Sequence, residues 1–88
     1  MYYLYILKNA KQKNYTGVAE DVGRRLRDHN LGRVKSTKYG CPWFVVHTEN
    51  YVTLSEAKHR EWVLKCTPRG GKEKRKILGT AGIPAQGA

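Results

Sequence analysis

Three extended runs of apolar residues stand out along the chain, with polar or helix-like segments between them. The first run, Tyr2–Leu7, is apolar and aromatic throughout and ends at the polar stretch Lys8–Asn14. Such an unbroken run of strand-forming residues is typical of a central strand covered on both faces. The second run, Tyr15–Val18, is short and contains Gly17, which tolerates a close approach to its backbone. We therefore expect the two runs to form a β-hairpin with a long polar loop.

A third strand is expected over Trp43–Tyr51, around the apolar positions Phe44, Val45 and Val46. Because this run also lacks a clean alternation of apolar and polar positions, it too is predicted to be covered on both faces. The preceding segment, Leu31–Pro42, contains Gly, Ser and Thr among basic residues, which suits a loop or a short helix.

The first helix is expected to begin after Asp21, which is a good N-cap residue, and to run through Asn30. Its few apolar positions, Val22 and Leu26, lie one turn apart. On this interpretation Asp28 points away from the apolar stripe.

The second helix is the best marked, because Thr53-Leu54-Ser55-Glu56 fits a capping box. We expect it to end near Cys66, since Thr67 precedes a proline and is pushed out of helical geometry. His59 and Arg60 are predicted to be solvated positions on this helix.

A last, short helix is expected over Lys72–Leu78, with its apolar end docked on the sheet. The remainder, Gly79–Ala88, is rich in Gly, Ala and Pro and is expected to fray. With 88 residues the chain should form a single domain, 1–79, followed by a flexible C-terminal tail, 80–88. The predicted fold class is α/β (α+β): a small three-stranded antiparallel central sheet flanked by helices, in the order β-β-α-(α)-β-α-α.

The composition is that of a folded, strongly basic protein. Seventeen Lys plus Arg against seven Asp plus Glu give a formal net charge of +10, while 40% of the residues are hydrophobic. Disordered basic tails are poor in aromatic residues, whereas this chain has six Tyr, two Trp and one Phe. The charge therefore surrounds a core and favours binding to a polyanion.

The cysteine and histidine positions argue against a structural metal or a disulfide. Cys41 and Cys66 form no CxxC pair, and the three His follow no zinc-ligand spacing, so two reduced thiols are expected. The first apolar run is cut at Lys8, too early for a secretory signal or a membrane span. A cytoplasmic protein without membrane contact is the expectation.

Glu61 is the most unusual residue of the second helix. By helical spacing it shares a face with Leu54, Ala57, Leu64 and Lys65, and this face should meet the core. Carboxylates are rarely buried without a partner. A salt bridge to Lys65 or to an Arg of the first helix explains Glu61 about as well as a role as a metal ligand does.

Four other polar residues each have an ordinary structural explanation. Strand tyrosines such as Tyr5 and Tyr15 most often belong to the core with a solvated hydroxyl. Arg25, at the margin of the first helix's apolar stripe, would lay its stem on the core. His29, one turn later, would suit the C-terminal end of a helix dipole.

As a set, these residues resemble the GIY-YIG nuclease domain, over roughly Tyr2–Lys76. In that family a first-strand tyrosine, a Tyr-x-Gly second strand, an Arg before an aliphatic residue and a Glu on a later helix form the active site. The matching positions here are Tyr5, Tyr15 with Gly17, Arg25 before Leu26, and Glu61.

The match departs from both family signatures, and the small standalone members look similar at these two places. The Gly-Ile-Tyr signature is Tyr3-Leu4-Tyr5 here, and the Tyr-Ile-Gly signature is Tyr15-Thr16-Gly17. Excision-repair relatives carry a Lys after the second motif, where this chain has Val18. At the position of their further helix tyrosine stands His29.

The resemblance implies hydrolysis of phosphodiester bonds with one divalent cation. Glu61 would bind Mg²⁺ or Mn²⁺, which would keep several waters and take phosphate oxygens as further ligands. Tyr5 would orient or deprotonate the attacking water together with His29, whose unperturbed pKa of about 6.5 makes it the better base of the two near neutrality. Arg25 would bind the scissile phosphate in two-pronged fashion, and Tyr15 would hydrogen-bond the phosphate or the water.

DNA is the implied partner, recognised by its backbone and by shapes such as branches, flaps or nicks rather than by base sequence. The positions expected to contact phosphates are Arg33, Lys35, Lys38, Lys72, Lys74, Arg75 and Lys76. Two other classes stay open, since composition supports them equally. One is a non-catalytic DNA- or RNA-binding module of the same fold, and the other is a basic ribosome-associated or RNA-binding protein.

Overall fold

The computed structural model describes residues 1–80, in which a three-stranded antiparallel sheet is flanked by three helices. The strands lie in the order β2-β1-β3, so the first strand is central. Their bounds, and those of the helices, are β1 Tyr2–Lys8, β2 Asn14–Ala19, α1 Val22–Asn30, β3 Phe44–Tyr51, α2 Leu54–Cys66 and α3 Pro68–Thr80. The predicted fold class and the β1–β2 hairpin are confirmed.

The central strand separates two apolar clusters because its side chains alternate between the faces of the sheet. On one face, Leu4 and Ile6 pack with Leu64 of α2, and the apolar end of α3 joins them. On the other face, Tyr5 and Leu7 pack with Trp43, together with apolar residues of α1. Four consecutive residues of β1, Leu4–Leu7, are at most 1% exposed, as the unbroken apolar run predicts.

The third strand is an edge strand, and the prediction that both its faces are covered holds only at its apolar start, where Val46 and Val45 pack against the two different core clusters. None of its residues is fully buried, and Thr48 and Asn50 are exposed. Glu49 and Tyr51, on the opposite face, are partly buried toward α2. The apolar start of the strand obscured this alternation, which is typical of an antiparallel strand with one solvated face.

Thr67 joins the last two helices and explains why α3 begins earlier than the sequence indicated. Its backbone N–H donates to Val63 O at the end of α2, and its hydroxyl accepts from Gly70 N at 3.0 Å. Pro68 suits the first turn of a helix, where its missing N–H costs nothing. A Cβ at Gly70 would lie 1.8 Å from Val63 O, so this glycine reflects close packing rather than a break between helices.

Most of the predicted C-terminal tail lies outside the residues that the structure describes. Gly79 and Thr80 are the last two residues of α3, and residues 81–88 of the predicted tail lie outside the described residues. Within 1–80, Cys41 and Cys66 are both free thiols. None of the helices described over this range has the length and apolar character needed to cross a bilayer.

The second helix starts where the capping box predicts, but its first turn is not buried. The Thr53 hydroxyl accepts from Glu56 N at 3.2 Å, and Leu54 is 45% exposed. Ala57 and Leu64 alone carry the fully buried face of α2. The N-cap, rather than apolar packing of Leu54, therefore fixes where the helix begins.

Arg60 is not solvated as predicted, because it joins β3, α2 and α3 in an ion-pair network. Its Nε donates to Glu49 Oε1 at 2.8 Å, and its guanidinium also pairs with Glu73. Tyr51 donates to Glu49 at 2.6 Å, and His47 Nε2 lies 2.8 Å from the same carboxylate. Burial opposes ionisation of Glu49, but these hydrogen bonds, led by that from Arg60, lower its pKa to about 2.

Candidate active site

Tyr5 and His29 form the buried centre of the candidate site. Tyr5 projects from β1 toward α1, and its hydroxyl lies 3.0 Å from Nε2 of His29. The two residues are 1% and 0% exposed. On its other side, His29 Nδ1 lies 2.6 Å from the Thr37 hydroxyl, in the loop after α1. Both nitrogens of His29 are therefore engaged.

The hydrogen-bond directions in this cluster follow from Arg25, the donor on its solvent side. Arg25 interacts with the Tyr5 hydroxyl, and a guanidinium can only donate. The Tyr5 proton is thus available to His29 Nε2, which leaves Nδ1–H to donate to Thr37. The Thr37 hydroxyl in turn donates to Val34 O at 3.4 Å. We assign the Nδ1–H tautomer of His29 on this ground.

The loop that supplies Thr37 is anchored at both ends. Asn30, the last residue of α1, donates to Trp43 O at 3.1 Å and accepts from Trp43 N at 2.6 Å. The Trp43 indole donates to Thr37 O at 3.0 Å. These contacts hold the Thr37 hydroxyl against His29.

Burial shapes the protonation of both central groups. It raises the pKa of the Tyr5 phenol, an effect that the interaction with Arg25 opposes and that the nearby charge of Glu61 adds to. Burial also lowers the pKa of His29 from its usual 6.5, and the positive charge of Arg25 acts in the same direction. Near neutral pH the pair is therefore an uncharged phenol beside an uncharged imidazole that can accept its proton.

Gly17 makes room for the Tyr5 ring. The two residues are paired in the β1–β2 register, so their side-chain positions share a face of the sheet. A Cβ at Gly17 would lie 2.6 Å from the Tyr5 hydroxyl oxygen and 3.0 Å from a ring carbon of Tyr15. The close approach expected at this glycine is thus to a side chain of the site itself.

Tyr15 lies on the same face, two positions before Gly17. Its ring centroid is 4.7 Å from that of His29 and 6.2 Å from that of Tyr5. The ammonium of Lys65, from α2, lies 5.5 Å from the Tyr15 ring centroid. Tyr15 therefore connects the buried pair to the α2 residues at the edge of the sheet.

Glu61 and Lys65 form the i,i+4 salt bridge that was one of two explanations for Glu61. Lys65 Nζ lies 3.2 Å from Glu61 Oε2, and the Glu61 side chain is 19% exposed. Within residues 1–80, Oε1 makes no hydrogen bond. No group of three or more His, Cys, Asp or Glu side chains within this range could hold a metal ion. A cation here would have one carboxylate ligand and would need water or phosphate oxygens for the rest, which suits Mg²⁺ or Mn²⁺ and not zinc.

Arg25 connects the buried centre to the surface. Its side chain is 39% exposed and lies 3.8 Å from Asp28. Asp28, which was predicted to point away from the apolar stripe, also pairs with Arg33 at 3.3 Å. The guanidinium can therefore reach both the Tyr5 hydroxyl and a ligand from solution.

The predicted phosphate-contacting residues lie in two groups, one on the α1–β3 loop and one on α3. Arg33, Lys35 and Lys38 are exposed on the α1–β3 loop, which also carries Thr37. The others belong to α3, where Lys74 is partly buried, and its pKa is lowered by burial and by the charge of Lys65. Lys72, Arg75 and Lys76 are exposed.

Sequence reasoning missed two members of the site. Thr37 was one of many small polar residues in a loop, and nothing in its spacing indicates contact with His29. Lys65 was identified only as a helical neighbour of Glu61, although its ammonium group also lies over the Tyr15 ring. Both contacts arise from tertiary packing.

The chain is similar to known proteins over most of its length. Residues 1–75 match the model of the GIY-YIG catalytic domain. A UPF0213 protein of Halobacterium salinarum is 36% identical over 74 residues, covering 83% of this chain and 96% of that protein. A UPF0213 protein of Staphylococcus aureus strain Mu3 is 40% identical over 72 residues, covering 81% and 88%. The solution NMR structure of a UPF0213 protein from Bacillus halodurans superposes with a TM-score of 0.54 at 31% identity, covering 93% and 88%.

Proposed function

The chain belongs to the GIY-YIG family, whose domains are generally nucleases, and from this we propose that it is a metal-dependent endonuclease that hydrolyses phosphodiester bonds in DNA. The observation that carries the proposal is the cluster of Tyr5, His29, Arg25, Tyr15 and Glu61. Two strands and two helices contribute to it. A stable fold alone does not require a tyrosine, a histidine and an arginine to meet in this way.

His29 is proposed to act through Tyr5 rather than on water directly, because it is fully buried and both its nitrogens are engaged. As the attacking water bonds to phosphorus, it gives a proton to the Tyr5 oxygen. Tyr5 passes its own proton to His29 Nε2, and the Thr37 contact orients the ring. The bond from phosphorus to the leaving oxygen breaks, and that oxygen takes a proton from solvent.

Arg25 is proposed to clamp the scissile phosphate. It is the exposed neighbour of the Tyr5 hydroxyl, so its movement onto a phosphate would open that hydroxyl to water. A guanidinium suits this role because it can bind two phosphate oxygens at once. Tyr15 would hydrogen-bond a phosphate oxygen or the water.

Glu61 is proposed to hold the divalent cation, Mg²⁺ or Mn²⁺, once Lys65 turns away. The bound cation would supply positive charge to the phosphate and the leaving oxygen. Once Lys65 has turned away from Glu61, it and the neighbouring Lys74 would be further partners for the DNA backbone. Contacts of this kind favour recognition by structure over recognition by sequence. We also propose that the protein acts in the cytoplasm, as expected from the sequence.

The proposal is tested by incubating the chain with branched, flapped, nicked and single-stranded DNA, in Mg²⁺, in Mn²⁺ and in EDTA. A nuclease cleaves at least one of these substrates in metal and none in EDTA. Binding without cleavage in every case would instead support a non-catalytic module of the same fold.

A thermal melt distinguishes a metal-dependent nuclease from a non-catalytic module, and it does not depend on the choice of substrate. If Glu61 holds a cation, Mg²⁺ raises the melting temperature of the parent and not of Glu61→Ala. Comparing the affinities for duplex DNA and structured RNA at equal salt would identify an RNA-binding protein.

A further inference from the structure

A cleft of about 350 Å³ opens directly beside the proposed catalytic residues. It lies between the β1–β2 loop and the loop that follows α1. Tyr15 and Thr37 belong both to its lining and to the candidate site. Its volume falls at the lower end of the range for pockets that bind small ligands. Whatever occupies it would therefore lie next to the phosphate that Tyr15 is proposed to contact.

The charge of the cleft suits an anion. Lys11 and Lys13 line it on the side of the β1–β2 loop, and both are exposed. Asn14 and Ser36 add neutral hydrogen-bonding groups, and none of the described residues that line the cleft is acidic. The two lysines suit a phosphate, and the neutral groups can hydrogen-bond polar atoms attached to that phosphate.

The opposite wall offers an aromatic surface. Tyr39 is 86% exposed, and Lys38 Nζ lies 4.9 Å from the centroid of its ring. Exposed aromatic rings beside basic residues are typical of surfaces that stack unpaired nucleic-acid bases. The indole N–H of Trp43 already donates to Thr37 O, so Trp43 contributes apolar surface to the cleft.

The floor of the cleft is built from Asn9, which is 2% exposed. Its amide donates to Gly40 O at 3.0 Å and accepts from the backbone N–H groups of Lys11 and Lys13 at 3.1 and 2.9 Å. A Cβ at Gly40 would lie 2.6 Å from the Trp43 ring. The two loops are thus tied together, and the cleft is formed before any ligand binds.

We propose that this cleft holds an unpaired nucleotide that flanks the scissile phosphate, with its base stacked on Tyr39 and its phosphate beside Lys11 and Lys13. The inference rests on the proposed nuclease function and specifies its substrate class. A base within an intact duplex is stacked between its neighbours and cannot enter, whereas an unpaired one enters at little cost. The substrate is therefore DNA with an unpaired nucleotide at the cleavage position.

Binding in EDTA tests the proposal without cleavage. The affinities of the chain for a labelled single-stranded oligonucleotide and for its fully paired duplex are measured by fluorescence anisotropy at equal salt. Tyr39→Ala should weaken single-strand binding by about 5-fold or more, the contribution of one stacked base, and duplex binding by less than about 2-fold. Tyr39→Phe keeps the ring and should match the parent. Trp62→Ala removes an aromatic residue on α2 that is 54% exposed, and should leave both affinities unchanged.

The proposal is overturned if Tyr39→Ala weakens single-strand and duplex binding equally, or if Trp62→Ala causes the same loss. A single abasic position, moved along the oligonucleotide, provides a second test. At one position it should reduce parent binding and make Tyr39→Ala no worse than the parent; the absence of any such position would also overturn the proposal. Because neither readout requires catalysis, failure of the nuclease function would appear separately, as a lack of cleavage by the parent.

Discussion

Gly17 and Tyr5 face each other across two antiparallel strands, and the space left by the missing side chain of one is filled by the ring of the other. The Tyr-x-Gly motif therefore has a steric meaning in this protein. The glycine is required by the position of the Tyr5 hydroxyl and not by its own backbone conformation.

Gly17→Ala should destabilise the protein by about 1–3 kcal/mol, the usual cost of an added carbon in a packed interior. It should also displace the Tyr5 hydroxyl and lower cleavage. Urea denaturation measures the first effect. Gly71→Ala is the matched control, because a Cβ at Gly71 meets nothing within 4 Å. An alanine at position 17 that left both stability and activity unchanged would show that this contact is not tight.

Tyr5→Phe should keep the ring in place and remove the proton path to His29. We expect the single-turnover cleavage rate to fall by about 100-fold or more, as is usual when a general base is lost. Tyr3→Phe removes a hydroxyl from the same strand outside the cluster and should have little effect. Equal rates for the two variants would exclude Tyr5 from proton transfer.

The pH dependence of cleavage should report His29. Because its pKa lies below 6.5, His29 is uncharged and able to accept a proton at neutral pH. The parent rate should therefore stay level as pH falls to about 6.5, and decrease only at lower pH, where His29 becomes protonated. His29→Gln should be slower and lack this acid limb, whereas His59→Gln should retain it. An unchanged limb in His29→Gln would assign it to another group.

Glu49 should make stability depend on pH. Its pKa is about 2 in the folded protein against 4.5 as the ordinary value, so the stabilisation is complete above about pH 5 and is lost as pH falls toward 2. The lost contribution is about 3 kcal/mol. Urea denaturation from pH 6 to pH 2 should show a shallower decline for Glu49→Gln than for the parent. Glu73→Gln, at a side chain that is 45% exposed, should differ less; parallel curves for the parent and Glu49→Gln would contradict the shift.

Local patterns were sufficient to predict the elements, because each is encoded within a few residues. The apolar run around Tyr5 predicted the central strand, and Thr53 predicted the start of α2. The start of α3 was missed because Gly70 disfavours a helix, whereas the Thr67 hydroxyl that accepts from Gly70 N and the close packing of Gly70 on Val63 O are visible only in the structure. Arg60 was placed in solvent because its partners Glu49 and Glu73 lie on other elements.

The candidate site was predictable through its motif positions but not through its contacts. The resemblance identified the five main residues by position. It did not indicate that His29 is fully buried between Tyr5 and Thr37, the observation on which its proposed indirect role rests. Such contacts depend on where the loop after α1 lies, and a loop has no periodic pattern to reveal its path.

Glu61 is proposed to organise metal-dependent cleavage, and this role is measured by single-turnover rates in Mg²⁺. The parent, Glu61→Gln and Glu56→Gln are compared on the best-cleaved DNA. Glu56 is a matched control on α2, and glutamine preserves its capping role. We predict that Glu61→Gln cleaves at least about 100-fold more slowly than the parent, while Glu56→Gln matches the parent and all three bind DNA equally in EDTA. Cleavage by Glu61→Gln at the parent rate would exclude this role for Glu61.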